Sequence, residues 1–191
     1  MITWLADIEP NDVGQLGQFC TRWADQLEVD FITDPADTGV RVGIDSGTGL
    51  LPLTTIHHVL RIAEASSGGI EFRLTWVFSS VAIQSTEIPA LRARWDETDE
   101  PPLLSIIDLK MGDRRHVTHG LAVFAGHELA AEFSDRGRSR DAARALVRLA
   151  RHALMNGGLV REIVYEGLGW HPLRLVWRDE PRNAVMVTMV L

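Results

Sequence analysis

Residues 116 to 133 read "HVTHGLAVFAGHELAAEF" and put His116, His119, His127 and Glu128 into one short stretch. Imidazoles and a carboxylate at this density could ligate a divalent metal, with the glutamate as the base that activates a bound water. Such sites place two histidines one helical turn apart, so that both ring nitrogens converge on the ion. Here the pattern puts His116 and His119 on a strand running into a turn, where an offset of three sends side chains to opposite faces. His127 and Glu128 are neighbours on a further strand and also diverge. The four residues define an alternative reading, a small metal-dependent or small-molecule-binding enzyme. The leading reading is scaffold, with no cofactor.

A second constellation is cationic. Arg140, Arg144, Arg148 and Arg151 fall within about 80° of arc on a helix that advances 100° per residue. Residues 134–152 hold six arginines against Asp135 and Asp141. Such a stripe could bind an anionic partner or pair with acidic residues of the same fold or of a second copy. A net charge of −7, no interleaved aromatics and no helix-turn-helix or RNA-binding signature count against nucleic acid. The other candidate contact is Trp170 with His171 in the loop "GLGWHPL", an aromatic placed between two predicted strands.

Other chemical motifs fail on context. "VGIDSGTG" (42–49) resembles the first phosphate loop of sugar kinases and actin-like ATPases, and also the Asp-Ser-Gly-Thr turn of pepsin-like proteases. The first needs two large domains and a second phosphate loop; the second needs a partner aspartate to share a proton. A single 191-residue chain with one copy of the motif supplies neither. Adjacent His57 and His58 on a helix point about 100° apart and cannot chelate together. There is no Gly-x-Ser-x-Gly elbow and no Walker loop. Cys20 is the only cysteine, so no intrachain disulfide or cysteine-based zinc site exists, and its helical setting reads as a small buried hydrophobe.

The elements that must position these groups follow from periodicity. Val13, Leu16, Cys20, Trp23 and Leu27 predict a helix entered through Pro10 and an asparagine cap. "VDFIT" and "VRVGI" read as strands around the turn-prone "DPADTG", and a second helix is expected over about 54–66. "GIEFRLTWVFS" alternates Phe72, Leu74, Trp76 and Phe78 with polar residues, the signature of a half-buried strand. A short helix over "TEIPALRARW" precedes the break "DETDEPP". "LLSIIDLK" and "RRHVT" are strands joined by an "MGD" turn, "GLAVFAG" is a helical turn closed by glycine, and "HELAAEF" is a strand. The strongest helix spans Ser139 to Asn156, capped by the serine and stopped by Gly157. "LVREIVY", "LRLVW" and "AVMVTMV" close the chain as strands. Of six tryptophans, Trp23, Trp76 and Trp95 sit on predicted apolar faces.

The segment "PPLLSIIDLK…VTHGLAVFAGHELAAEF", with the alanine- and arginine-rich helix and "NGGLV" after it, resembles a bacterial family of domains of unknown function that shares a Thr-x-Gly-Leu-x-x-Phe…Glu-Leu stretch. Thr118, Gly120, Leu121, Phe124, Glu128 and Leu129 carry the match over residues 101–165. Ala125 stands where the family has glycine, and "REIVYEGLGW" replaces its Asp-Gly-Asp-x-x-Gly stretch. The resemblance implies a mixed α/β domain and no stated activity. Physically, Gly120 and Gly126 bracket a helical turn, Leu121 and Phe124 face inward, and Thr118 is placed to cap that turn.

With 46% hydrophobic and 24% charged residues, the chain has the composition of an ordinary globular protein. No apolar run reaches the roughly 18 residues of a membrane span, and the opening "MITWLADIEP" has no basic leader, which predicts a cytoplasmic protein. The expected architecture is one α+β domain, 1–191, with a mixed or mostly antiparallel sheet, helices packed on one face, and two halves meeting near 96–102. The expected role is a non-catalytic module that binds a protein partner or copies of itself.

Overall fold

A computed structural model describes residues 2–26, 31–36, 38–45, 49–133, 135–159, 175–179 and 185–190. The chain is α+β and divides into two compact units, Met1–Ile106 and Ile107–Leu191, just beyond the "DETDEPP" break. Each has its own five-stranded sheet.

The first unit runs β1 (Ile2–Pro10), α1 (Leu16–Gln26), β2 (Phe31–Ala36), β3 (Gly39–Asp45), α2 (Leu53–Ser67), β4 (Phe72–Trp76), β5 (Ala82–Gln84) and α3 (Ile88–Thr98). Its strand order is β2-β3-β1-β4-β5, antiparallel throughout. The central strand, β1, is one that periodicity misses. A register shift between Trp4 and Ala6 leaves Leu5 and Ala6 both buried, which breaks the period-two signal beyond which Ile8 resumes it. The polar positions of β1 face cross-strand partners: Asp7 lies opposite Arg41 and pairs with it at 2.6 Å, and Glu9 lies opposite Arg73 and pairs with it. These two acids of the acidic amino-terminal quarter are thus matched within their own sheet. Gly39 is required where β3 crosses β1, since a Cβ there would stand 2.1 Å from the Ile8 carbonyl oxygen.

The entry to α1 differs from the sequence expectation. Asp12, not Asn11, caps a 3-10 turn over Val13–Gln15 by accepting from the Gly14 N–H, and α1 begins only at Leu16. The buried face is consequently Phe19 and Trp23, with Val13 exposed and Cys20 only half-buried. Phe19 packs on Phe72 with ring centroids 5.2 Å apart, fixing α1 on the sheet. Arg22 then donates to the Gly68 carbonyl at 2.8 Å, so α1 also caps the carboxyl end of α2.

The second unit runs β6 (Asp108–Met111), β7 (Arg115–His119), α4 (Ala122–Ala125), β8 (His127–Glu132), α5 (Ser139–Met155), β9 (Leu175–Asp179) and β10 (Val185–Val190). Strand order is β6-β7-β8-β10-β9, with β8 and β10 parallel and the remaining pairs antiparallel. "LLSII" is not strand: Leu103–Ser105 form a 3-10 turn and β6 starts at Asp108. α5 buries Ala142, Leu146, Leu149, Ala150, Ala153 and Leu154 and packs on β7 and β8. Full burial of one leucine side chain in such a face contributes about 1.5–3 kcal/mol. Gly157 follows with φ 67, the left-handed conformation expected of a helix stop. Ser139 is the first residue of α5 rather than its cap; the capping position belongs to Arg138.

Candidate functional site

His116, His127 and Glu128 of the supposed metal set have structural partners, and those partners are not each other. His116 is buried, with Nε2 3.0 Å from both the carbonyl and the hydroxyl oxygen of Ser139 and its ring 4.6 Å from that of Phe133. It ties β7 to the first turn of α5. His119 lies on the opposite face of β7, half-buried, at the register position across from Asp108.

Glu128 serves the backbone. Its carboxylate accepts from the N–H of Gly120 at 2.8 Å, of Ala122 at 3.2 Å and of Leu121 at 3.3 Å, and from the Thr118 hydroxyl at 2.7 Å. The amino end of α4 exposes N–H groups with no partner inside so short a turn, and a carboxylate is the strongest acceptor for them. Thr118 therefore does not cap the turn directly. It holds the carboxylate that does, while its oxygen accepts from the Leu129 N–H at 2.8 Å. The Thr-x-Gly-Leu…Glu-Leu residues form one hydrogen-bonded unit, and it leaves Glu128 few lone pairs for a metal or a proton-transfer role.

His127 is buried at the start of β8, and burial pushes its pKa below the ordinary 6.5, opposed by a hydrogen bond to the Ala125 carbonyl. A base with a depressed folded pKa takes up its proton first in the unfolded chain, so stability is full above pH 6.5 and falls as pH drops below it, levelling off under the folded pKa. The slope from one such group is at most about 1.4 kcal/mol per pH unit. Urea midpoints at pH 7.5 and pH 5 should fall for the parent and change less for His127→Gln. Equal acid sensitivity in both would remove His127 as a cause.

Among the described residues no group of three or more His, Cys, Asp or Glu side chains is disposed to hold a metal ion. Within the metal set, His116 is committed to Ser139 and Glu128 to the backbone around α4.

The arginines, by contrast, are gathered. Arg140, Arg144, Arg148 and Arg151 line an open groove of about 760 Å³ along α5, with Ala143, Val147, His152, Met155 and Asn156. Arg140, Arg144 and Arg148 are exposed, and Arg151, Ala143 and Val147 are half-buried. The sequence singled out the four cations, and the helical period fixes their common face. Ala143, which the sequence assigns to the apolar arc of the helix, and Val147, which it does not single out, adjoin them at about 300° and 340° when Arg140 is set to zero. The only counter-charge on the helix is Asp141, 4.0 Å from Arg144 and more than half exposed. Arg140 and Arg138 stand at the positive end of the helix dipole, and Arg140, Arg144 and Arg148 follow one another at i, i+4. Each like-charge pair at that spacing costs roughly 0.2–0.5 kcal/mol, and cations near a helix start are disfavoured by a similar amount. Taken within the helix alone, the two i, i+4 steps from Arg140 to Arg148 are unfavourable local contacts.

Trp170 and His171 lie outside the described residues, as do most of "LVREIVY" and Ser46 to Thr48 of the Gly-Thr-Gly turn. His57 and His58 behave as single side chains: His57 Nε2 is 2.8 Å from Asp96 Oδ1 and its ring meets Trp95 edge-on at 5.1 Å, joining α2 to α3. No described helix is long and apolar enough to cross a membrane. Comparison with protein-family models, with curated proteins and with solved structures gives no significant match.

Proposed function

We propose that the chain is a non-catalytic binding module that receives an acidic protein partner along the arginine groove of α5. The observation that carries this reading is that Arg140, Arg144, Arg148 and Arg151 line one open groove along α5. A face kept only for solubility would mix signs and support the helix. Arginine suits this task because its planar fork pairs two-pronged with carboxylates and is weakly hydrated.

Two rival occupants fit less well. The apolar side of α5 is committed to β7 and β8, so this basic helix cannot bury an apolar face in a lipid surface. A second copy docking α5 against α5 would bring eight arginines together, so two-fold self-pairing on this face is opposed by charge. The enzyme alternative built on His116, His119, His127 and Glu128 gains no support from side chains committed to Ser139 and to the α4 cap.

The test uses poly-L-glutamate as probe. Titration calorimetry should show binding at about 0.1 M salt that weakens at least tenfold at about 1 M, as the screening length contracts from about 10 Å to 3 Å. The double variant Arg144→Glu, Arg148→Glu should lose at least tenfold in affinity while keeping its helical circular dichroism, since both side chains are exposed. No binding at low salt, or tighter binding of duplex DNA than of polyglutamate, would overturn the reading.

A further inference from the structure

We propose that the free edge of β6 pairs antiparallel with β6 of a second copy of this chain, with Leu109 on the two-fold axis and each Asp108 opposite the other copy's Lys110.

β6 ends the sheet of the second unit, and among the described residues no strand lies on its outer side. The hairpin to β7 sets which backbone groups face outward. Gly112 donates to the Arg115 carbonyl at 3.0 Å, so the residues in phase with it, Lys110 and Asp108, turn their N–H and C=O groups toward β7. Leu109 and Met111 alternate with them and turn theirs away, so a strand added at this edge bonds to these two. Side chains divide by the same alternation. Leu109 and Met111 share the face of buried Thr118 and His116, whereas Asp108 and Lys110 share that of His119 and Val117.

Pleat and charge select the register. Residues opposite one another lie on the same face, so the two-fold axis passes through a residue and never between two. An axis through Asp108 or through Lys110 sets like charge against like charge, which is unfavourable. An axis through Met111 carries Leu109 onto the turn at Asp113, where the strand has ended. An axis through Leu109 gives each Asp108 a lysine and each Lys110 a carboxylate, and it closes two N–H to C=O bonds between the two copies of Leu109. Both charge pairs then fall at non-hydrogen-bonded positions, where Cα atoms approach to about 4.5 Å and side chains are nearest. On the other face Leu109 meets its own copy, and Met111, 57% exposed, lies diagonal to it.

A lysine on an edge strand can instead guard that edge against pairing. A guard works when the incoming strand brings no carboxylate to meet it, and Asp108, two residues earlier, brings one. The edge strand β2 of the first unit lacks this self-complementarity: its sequence FITDPA holds no cation to meet Asp34, and Pro35 has no N–H.

Sedimentation velocity on the full chain between about 0.01 and 1 mM tests this, a range suited to the small interface of one strand pair. The parent should form dimers as concentration rises. Leu109→Pro removes an outward N–H, leaves the bonds to β7, and should weaken dimerisation at least tenfold. Lys110→Glu and Asp108→Lys should each weaken it as much, and an equimolar mixture of these two should dimerise again, because each supplies the charges the other needs. Circular dichroism like the parent's shows that each variant is folded. Should Leu109→Pro fail to fold, the mixture of charge variants decides alone. A parent that stays monomeric to about 1 mM would overturn the proposal and leave Lys110 as a guard. So would dimers that survive Lys110→Glu undiminished, or a mixture of the two charge variants that stays monomeric.

Discussion

Glu128→Ala is expected to lower stability by about 3–5 kcal/mol, a large share of the 5–15 kcal/mol typical of a folded domain. The carboxylate accepts three backbone N–H groups and one hydroxyl, and its removal orphans donors at Gly120, Leu121 and Ala122 together. Each hydrogen bond to a charged acceptor is worth about 1.5–3 kcal/mol, but the donors share two oxygens and the site is only half-buried, so the sum falls below simple addition. Glu128→Gln keeps one good acceptor and turns an amide donor toward backbone donors; its loss should be roughly half as large. Thr118→Val should cost about 1–3 kcal/mol, because it strips a partner from Glu128 and the acceptor from the buried Leu129 N–H. Urea denaturation checks all three. A Glu128→Ala protein within 1 kcal/mol of the parent would show that the cap is not what this residue is for, and would reopen a chemical role for its carboxylate.

This cluster also shows how far the sequence could be read. The strand, helical turn and strand over residues 115–132 follow from period and glycine, and Gly126 takes the left-handed φ of 74 that closing the turn requires. What the sequence could not supply was the direction of the Glu128 side chain. Period two splits a strand into faces, but a side chain at a strand's first turn can reach back over the loop, and that depends on the loop's path. The same limit hid β1. Alternating Asp7 and Glu9 with Ile8 reads as strand once the Leu5–Ala6 bulge is known, whereas a bulge leaves no mark in composition. α1 slipped for a third reason: Asp12 competes with Asn11 for the cap, and the face that packs on the sheet is centred on Phe19 and Trp23, not on Cys20. The arginine row was legible because it depends only on helical period within one long, strongly amphipathic segment, the kind of element whose phase no loop can alter.

That contrast separates the two polar constellations physically. The histidines and glutamate of 116–128 stand on different elements, and the fold assigns His116 and Glu128 to neighbours that the backbone needs satisfied. The arginines share one element and one face, fixed by the helical period.

Trp76→Ala is expected to cost about 3–5 kcal/mol, comparable to Glu128→Ala but by a different route. The indole is fully buried on β4, opposite Ala6 of the central strand, and stacks on Phe78 with centroids 5.7 Å apart. Its Nε1 donates to the Ser105 carbonyl at 2.8 Å, which pins the 3-10 turn after the proline break to the sheet of the first unit. Truncation to alanine opens a cavity that rigid neighbours fill only in part, and frees that turn. Trp76→Phe retains most of the apolar contact and loses the hydrogen bond, so it should cost about 1–2 kcal/mol. The ordering Ala above Phe, read from urea midpoints followed by circular dichroism, separates packing from the tether. A Phe variant as damaging as the alanine one would mean that the bond to Ser105, and with it the placement of residues 103–106, matters more to the first unit than the volume of the ring.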